Sequence, residues 1–485
     1  MSPAAAKFTQ GPIMRHVVVM TTTGSVGLMA IFMVDFLNLF YIALLGQQEL
    51  AAAIGYAGTV LFFTTSVCIG VTIAGTALVS RALGARARGD ARRLAASSLV
   101  FIVATSGLLS VAMLPLLAVL LSLLGAEGAT FAIAWRFLAI TLPSTPLLGL
   151  GMAASGLLRA VGDARRSMYV TLAGAIVTAA LDPVLIFVLG LGVDGAAIAS
   201  IVSRAALAAV GLNGCVRIHD MVAKPSLSAA RSDAPALSAI AVPAVLTNVA
   251  TPIGNAVVTA AVAAYGDAAV AGYAVIGRVT PLAFGAIFAL SGAIGPILGQ
   301  NFGARRFDRL QRAISDSLVL TVVYCLAVWI LLAVLQGEIV TAFGASGQAA
   351  DLIRFFCVYV AGTFLFAGAL FVANAAFNNL GFPTWSTLFN WGRATLGTVP
   401  FVWIGAHYGV EGVIAGQAAG GIIFGIAAVF VCFAAIRRLA AKHGRIEEPI
   451  PIASEAVPPF ASGQAATAMD WPKSEPSADG KAHER

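Results

Sequence analysis

A chain of 485 residues that is 59% hydrophobic and 11% charged, with mean hydropathy +0.92, is too apolar for a water-soluble globular domain. The formal net charge of +7 does not mark a nucleic-acid-binding surface, because the basic residues fall in short turns between apolar stretches. The five cysteines, Cys68, Cys215, Cys325, Cys357 and Cys432, are scattered through the chain without metal-ligand spacing and read as buried free thiols.

Apolar windows of bilayer-crossing length recur from the N-terminus to about residue 438. They predict twelve spans, at 14–42, 51–79, 95–124, 131–157, 168–190, 195–216, 236–264, 269–298, 313–335, 351–379, 384–404 and 411–436. Each is expected to be a helix, since a segment in lipid must satisfy its own backbone hydrogen bonds. The first window is too long for a signal-peptide core and no small-residue cleavage site follows it, so it is read as a retained span.

Charge sets the expected orientation. Arg81, Arg86, Arg88, Arg92 and Arg93 follow the second span, and Arg159, Arg165 and Arg166 follow the fourth. Arg217, Lys224 and Arg231 lie between the halves, Arg305, Arg306, Arg309 and Arg312 after the eighth span, and Arg437, Arg438, Lys442 and Arg445 after the twelfth. The opposite loops carry Glu49, Glu127, Asp194, Asp267, Glu338 and Glu411 and no Lys or Arg. Basic loops remain in the cytoplasm, so both termini are expected there, in a multi-pass protein of the inner (plasma) membrane.

The two halves repeat. Gly84-Ala85-Arg86 recurs as Gly303-Ala304-Arg305, Gly162 as Gly381, and Gly192-Val193-Asp194-Gly195 as Gly409-Val410-Glu411-Gly412, all at offsets of 217 to 219. Arg136-Phe137 recurs as Arg354-Phe355, and Pro183 matches Pro400. Six spans per half is an even number, so the halves run the same way through the membrane, as parallel repeats with a site at their interface. The expected architecture is an all-α polytopic membrane protein of two pseudo-symmetric six-helix bundles. It comprises an N-terminal segment (1–13), a first lobe (14–217), a linker (218–235), a second lobe (236–438) and a disordered cytoplasmic tail (439–485) rich in Pro, Ser, Ala and Glu.

Two acids lie deep in apolar spans, Asp35 eleven residues before Gly46 and Asp182 eight residues before Gly190. At a rise of about 1.5 Å per helical residue they sit at similar depth in the outer half and could line one pocket. Intramembrane acids are costly and face cavities or partners, which makes this pair a candidate proton site. Asn38, three residues after Asp35, Thr178, four before Asp182, and Ser200 are polar neighbours that could tune it. The repeat offsets map Asp35 onto Asn255 and Asp182 onto Val399, so only one lobe carries acids. In the second lobe Asn248, Asn255, Asn374 and Asn378 could donate to a substrate or bond neighbouring helices. Arg204, Arg278 and Arg393 read as snorkelling or structural cations, and the prolines at 143, 146, 183, 243, 252, 281, 296 and 400 as kinks.

Six ordered stretches resemble the multidrug and toxic compound extrusion (MATE) family. They are MVDFLNLFYIALLGQQELAA, ALVSRALGARARGDARR, LLRAVGDARRS and LDPVLIFVLGLGVDGAAIAS in the first half, and YGDAAVAGYAVIGRV and GPILGQNFGARRFDR in the second. The resemblance covers about residues 14–440. It implies a V of two six-helix bundles, alternating access, and export of small organic cations in exchange for protons or sodium, by a monomer with no cofactor and no resident metal. It matches Asp35 and Asp182 to the family's first- and fifth-helix acids, with Thr178 where Asn is common and Ser200 where Thr is usual. The sodium-coupled branch uses acids in its seventh and tenth helices. None lies in the core of those spans here, and Asp351 is only at the outer edge of the tenth, which favours the proton-coupled, DinF-like branch over sodium. A lipid-linked-oligosaccharide flippase is an alternative, but its cavity needs arginines for a pyrophosphate. A membrane enzyme is disfavoured by scattered histidines and the lack of clustered acids, and a passive channel by the lack of a ring of repeated charges.

Overall fold

The computed structural model describes residues 6–44 and 48–443. Gly46 and the expected disordered tail beyond residue 443 lie outside the described residues. Among the described residues the chain is helical and no strand occurs. The helices are α1 (Ile13–Leu44), α2 (Gln48–Gly84), α3 (Arg88–Leu123), α4 (Gly128–Val161), α5 (Ala164–Val188) and α6 (Gly192–Ile218). The second set is α7 (Leu227–Ala263), α8 (Asp267–Ala283 with Gly285–Gly303), α9 (Phe307–Val334), α10 (Gly347–Leu380), α11 (Pro383–Ala394 with Val399–Gly405) and α12 (Val410–His443).

Among the described residues ten of these are long and apolar enough to cross a membrane, and α8 is an eleventh when its two halves, bent by 48°, are taken together. The twelfth, α11, is interrupted between Ala394 and Val399. Several other breaks fall at prolines, which lack the N–H that a helix needs. A 3-10 turn, Leu142–Ser144, interrupts α4 at Pro143, and a π-turn, Val184–Val188, follows Pro183 in α5. The α8 bend follows Pro281.

The helices run further into the basic end than the apolar windows suggest. The non-helical linker is only residues 219–226, whereas its polar composition reads as loop to 235. The extra helical turns are held by side chains. Ser226 caps α7 by accepting from the Ala229 N–H at 3.4 Å. Asp233, nearly buried, pairs with Arg93 and accepts from Ser97 Oγ at 2.7 Å, fastening the start of α7 to α3.

Within the first half α2 packs on α3 and α4, α4 on α6, and α5 on both α1 and α6; within the second, α7 packs on α11, and α10 on α8 and α12. The halves join through α1 against α8 and α2 against α7 and α8. The join is tightest where α2 and α8 end. A Cβ at Gly84 would run into the Gln300 carbonyl, and one at Gly303 into the Arg81 carbonyl, so the repeated glycines let the two helices cross backbone to backbone. Buried Arg81 donates from Nε to the Asn379 carbonyl at 3.0 Å and from a terminal nitrogen to the Asn378 carbonyl at 3.1 Å. Buried Gln300 donates to the Ala160 carbonyl at 2.7 Å. The 3-10 turn Lys7–Thr9 is inserted beside this crossing. Phe8 is buried, its N–H donates to Gln300 Oε1 at 2.9 Å, and Lys7 Nζ donates to the Gly162 carbonyl at 2.8 Å. Arg309 donates to the carbonyls of Phe8, Gln10 and Gly11.

Candidate ion and substrate site

One stripe of α1 leads from the crossing to the acids. Val17 is fully buried in the shared core, and Gly24, seven residues on, places its Cα face against Ala289 of α8, where a Cβ would sit 3.5 Å away. Asp35 follows after a further eleven residues, three turns on, and so continues the same face. Asp35 is nevertheless exposed.

Asn38 lies one turn further and faces α5. Its side-chain amide donates to Asp182 Oδ2 at 3.3 Å. Asp182 itself is 1% exposed, and among the described residues its other oxygen, Oδ1, has no hydrogen-bond partner. The carboxylate sits on the last α-helical turn before Pro183 and the π-turn. A buried anion with one neutral donor is under-compensated, so a proton or cation arriving at Oδ1 would offset the cost. Asn38 and Asp182 are thus brought together on two packed helices, with Asp35 one turn of α1 before Asn38.

The other two supporting residues differ in what they engage. Thr178 Oγ1 donates to the Gly174 carbonyl at 3.1 Å, and the same carbonyl accepts from Ser203 Oγ at 2.9 Å. Ser203, which ties α6 to α5, was not singled out from sequence, where a lone serine in a helix has no distinguishing signal. Ser200, one turn earlier, is half-buried.

The four asparagines of the second half separate. Asn255 is exposed, and its Oδ1 accepts from Gln417 Nε2 at 3.4 Å; Gln417 also hydrogen-bonds Tyr273, giving a polar cluster on α7, α8 and α12. Asn248 donates to the Ala244 carbonyl of its own helix at 2.8 Å. Asn374 and Asn378 are buried in the α10–α11 seam, accepting from Asn390 at 3.0 Å and Ser386 at 3.3 Å. Arg393 donates to Thr251 Oγ1 at 3.1 Å and Arg204 to the Thr141 carbonyl and Ser144 Oγ, while Arg278 is exposed. An apolar crevice of about 620 Å3 lies elsewhere, between α3, α4, α6 and the linker, and includes none of the acids.

A family model described as MatE matches the chain at residues 25–184 and again at 243–404, once in each half and in step with the internal repeat. The chain is 28% identical over 433 residues to the FAD transporter of Shewanella oneidensis, covering 87% of this chain and 94% of that one. It is 25% identical over 328 residues to the multidrug export protein MepA of Staphylococcus aureus, covering 66% of this chain and 72% of the other. Among solved structures it superposes on a MATE protein in the straight conformation with TM-score 0.85 at 21% identity, over 90% of this chain and 99% of that one. Vibrio cholerae VcmN in the bent form gives TM-score 0.82 at 24% identity, over 88% and 97%.

Proposed function

The chain belongs to the MatE family of membrane transporters, and from that premise we propose that it is a proton-coupled antiporter, of the DinF-like branch, that exports small organic cations by alternating access. The observation that carries the reading is Asp182: buried, held by the single Asn38 amide, with its second oxygen unmatched among the described residues and Asn38 one turn of α1 from Asp35. In this reading a proton entering from the acidic end neutralises the pair. The attraction for a bound cation falls, the Asn38–Asp182 contact weakens, and α1 is free to repack against α5. Transport requires that the proton bind the two conformations with different affinity. The basic end is assigned to the cytoplasm, with both termini there, in the inner membrane. The chain acts as a monomer, without cofactor or structural metal.

Export of a fluorescent organic cation from right-side-out vesicles tests this, with an imposed proton gradient compared with a sodium gradient. Efflux driven by the proton gradient alone supports the reading; efflux that follows only sodium overturns it. A second substrate class is favoured by the similarity to a FAD transporter over nearly the whole of both chains. The same vesicles loaded with FAD distinguish a flavin dinucleotide from an organic cation as cargo. The polar cluster of Asn255, Gln417 and Tyr273 would then meet the cargo's hydrogen-bonding groups.

A further inference from the structure

One face of α2 carries three hydroxyls that its buried seam leaves unmatched. Thr72, Thr76 and Ser80 recur at every fourth residue, so they stand one above another on the helix. All three are buried, and among the described residues none of their Oγ atoms has a hydrogen-bond partner. A serine or threonine in a helix commonly bonds the carbonyl one turn back, as Ser66 Oγ does to the Phe62 carbonyl at 2.9 Å on the same helix. These three do not.

What they face is also short of partners. A Cβ at Gly156 of α4 would run into Thr76 Oγ1, and would lie 2.9 Å from Thr72 Cγ2 and 3.7 Å from Arg159 Nη2. Arg159 donates from its other terminal nitrogen to Ser155 Oγ at 3.0 Å and Ser167 Oγ at 3.1 Å, hydroxyls rather than a carboxylate. Its buried Nε has no partner among the described residues. Nearer the basic end, a Cβ at Gly299 of α8 would lie 2.6 Å from Ser80 Cβ and 3.1 Å from Asn379 Oδ1 of α10, an amide oxygen that is likewise buried without a partner among the described residues. The stripe thus begins beside Arg81, where the halves are joined, and runs about 12 Å along α2 toward the middle of the membrane. A buried polar atom without a partner lowers stability, and valine would fill a threonine's place without that cost. Gathering such atoms on one seam weakens the closed junction and leaves groups that water satisfies once the seam parts.

We propose that this seam is the inner wall of the transport path: Thr72, Thr76, Ser80, Arg159 and Asn379 are covered while the basic end is closed and meet water and polar cargo when the halves part there. The inference rests on alternating access as read above and adds the surface on which the basic end opens. The hydroxyls lack acceptors in the closed seam and gain them from water in the open one, so they favour opening. Arg81, one residue past the stripe, holds the same helix to the second half through the Asn378 and Asn379 carbonyls. The balance between that hold and the unmatched stripe sets how often the basic end opens.

The test compares the full chain with a Thr72→Val/Thr76→Val variant, each carrying Ser80→Cys as a reporter, in nanodiscs. Labelling of the reporter by a charged methanethiosulfonate is followed at acidic and at alkaline pH, against the background of the five native cysteines, all of which are buried. Spin labels on Gly89→Cys and Asp308→Cys, exposed positions at the basic end of the two halves, measure opening separately. The reporter should be labelled in the parent whenever the spin-label distance lengthens. The valine pair should slow that labelling about tenfold while melting no lower than the parent. Lower melting of the valine pair, as expected if buried water held the hydroxyls, overturns the proposal, and so does labelling that the pair leaves unchanged. Opening without labelling of Ser80→Cys overturns the proposal alone; absence of any opening removes the alternating-access reading with it.

Discussion

Arg81 and Gln300 stand at equivalent places in the two repeats, and each reaches across the junction to an equivalent carbonyl. Arg81 takes that of Asn379 at 3.0 Å and Gln300 that of Ala160 at 2.7 Å, and Ala160 and Asn379 are themselves repeat equivalents. The junction is thus built as a pseudo-two-fold clasp of buried side chain to backbone. It is unequal in charge, and the N-terminal segment leans on the neutral side, where the Phe8 N–H donates to Gln300.

That inequality makes a prediction about the clasp. A hydrogen bond from a charged donor contributes about 1.5–3 kcal/mol and a neutral one about 0.5–1.5 kcal/mol. Arg81→Ala should therefore lower the melting temperature more than Gln300→Ala, with Arg81→Lys intermediate because a single ammonium lacks the planar fork that serves both carbonyls. Equal losses for the two alanine variants would show that charge plays no part in the clasp.

The crossing should tolerate no side chain. Gly84→Val or Gly303→Val drives a Cβ into a backbone carbonyl and should cost at least about 1–3 kcal/mol, the range for overpacking a tight interior. Cysteine pairs placed across α2 and α8 at this end should cross-link less in either variant than in the parent. Unchanged cross-linking with unchanged melting would contradict the backbone crossing.

Asp182→Asn removes a buried charge while keeping the contact with Asn38, so the protein should fold with undiminished stability. Proton-driven efflux should nonetheless be lost, and Asp35→Asn should behave in the same way. Transport at the wild-type rate by either folded variant refutes the assignment of that residue.

Asp163 gives a pH-dependent stability outside the membrane spans. Burial works against its charge, but the Arg166 N–H, the His219 ring and the Arg166 guanidinium outweigh it and hold the carboxyl below the usual carboxylate range. A depressed folded-state pKa contributes stability above the unfolded value of 3.8, which is lost as pH falls through the folded value. Asp163→Ala, which also removes the N-cap of α5, should cost about 0.5–2 kcal/mol at neutral pH. The gap between the two melting curves should close as pH drops below about 4; a gap constant with pH would remove the ionic part of the account.

Much of this protein is written in short-range pattern. Hydropathy windows and the alternation of basic and acidic turns are properties of neighbouring residues, and lipid leaves a helix as the form such a window must take. The repeat is likewise visible along the chain, as is the rarity of acids such as Asp35 and Asp182 in apolar stretches. Packing alone decided the rest. Asn38 and Asp182 are far apart in sequence, and no local signal says that α1 turns that amide toward α5. Asn374 and Asn378 look as available to a substrate as Asn255, yet the seam with α11 buries the first two while Asn255 stays exposed. Residues 6–11 carry no apolar window, and only the meeting of the halves creates the groove that Phe8 fills. A hydrogen bond between distant residues depends on how helices rotate against one another, and that rotation is settled by the fit of the whole bundle.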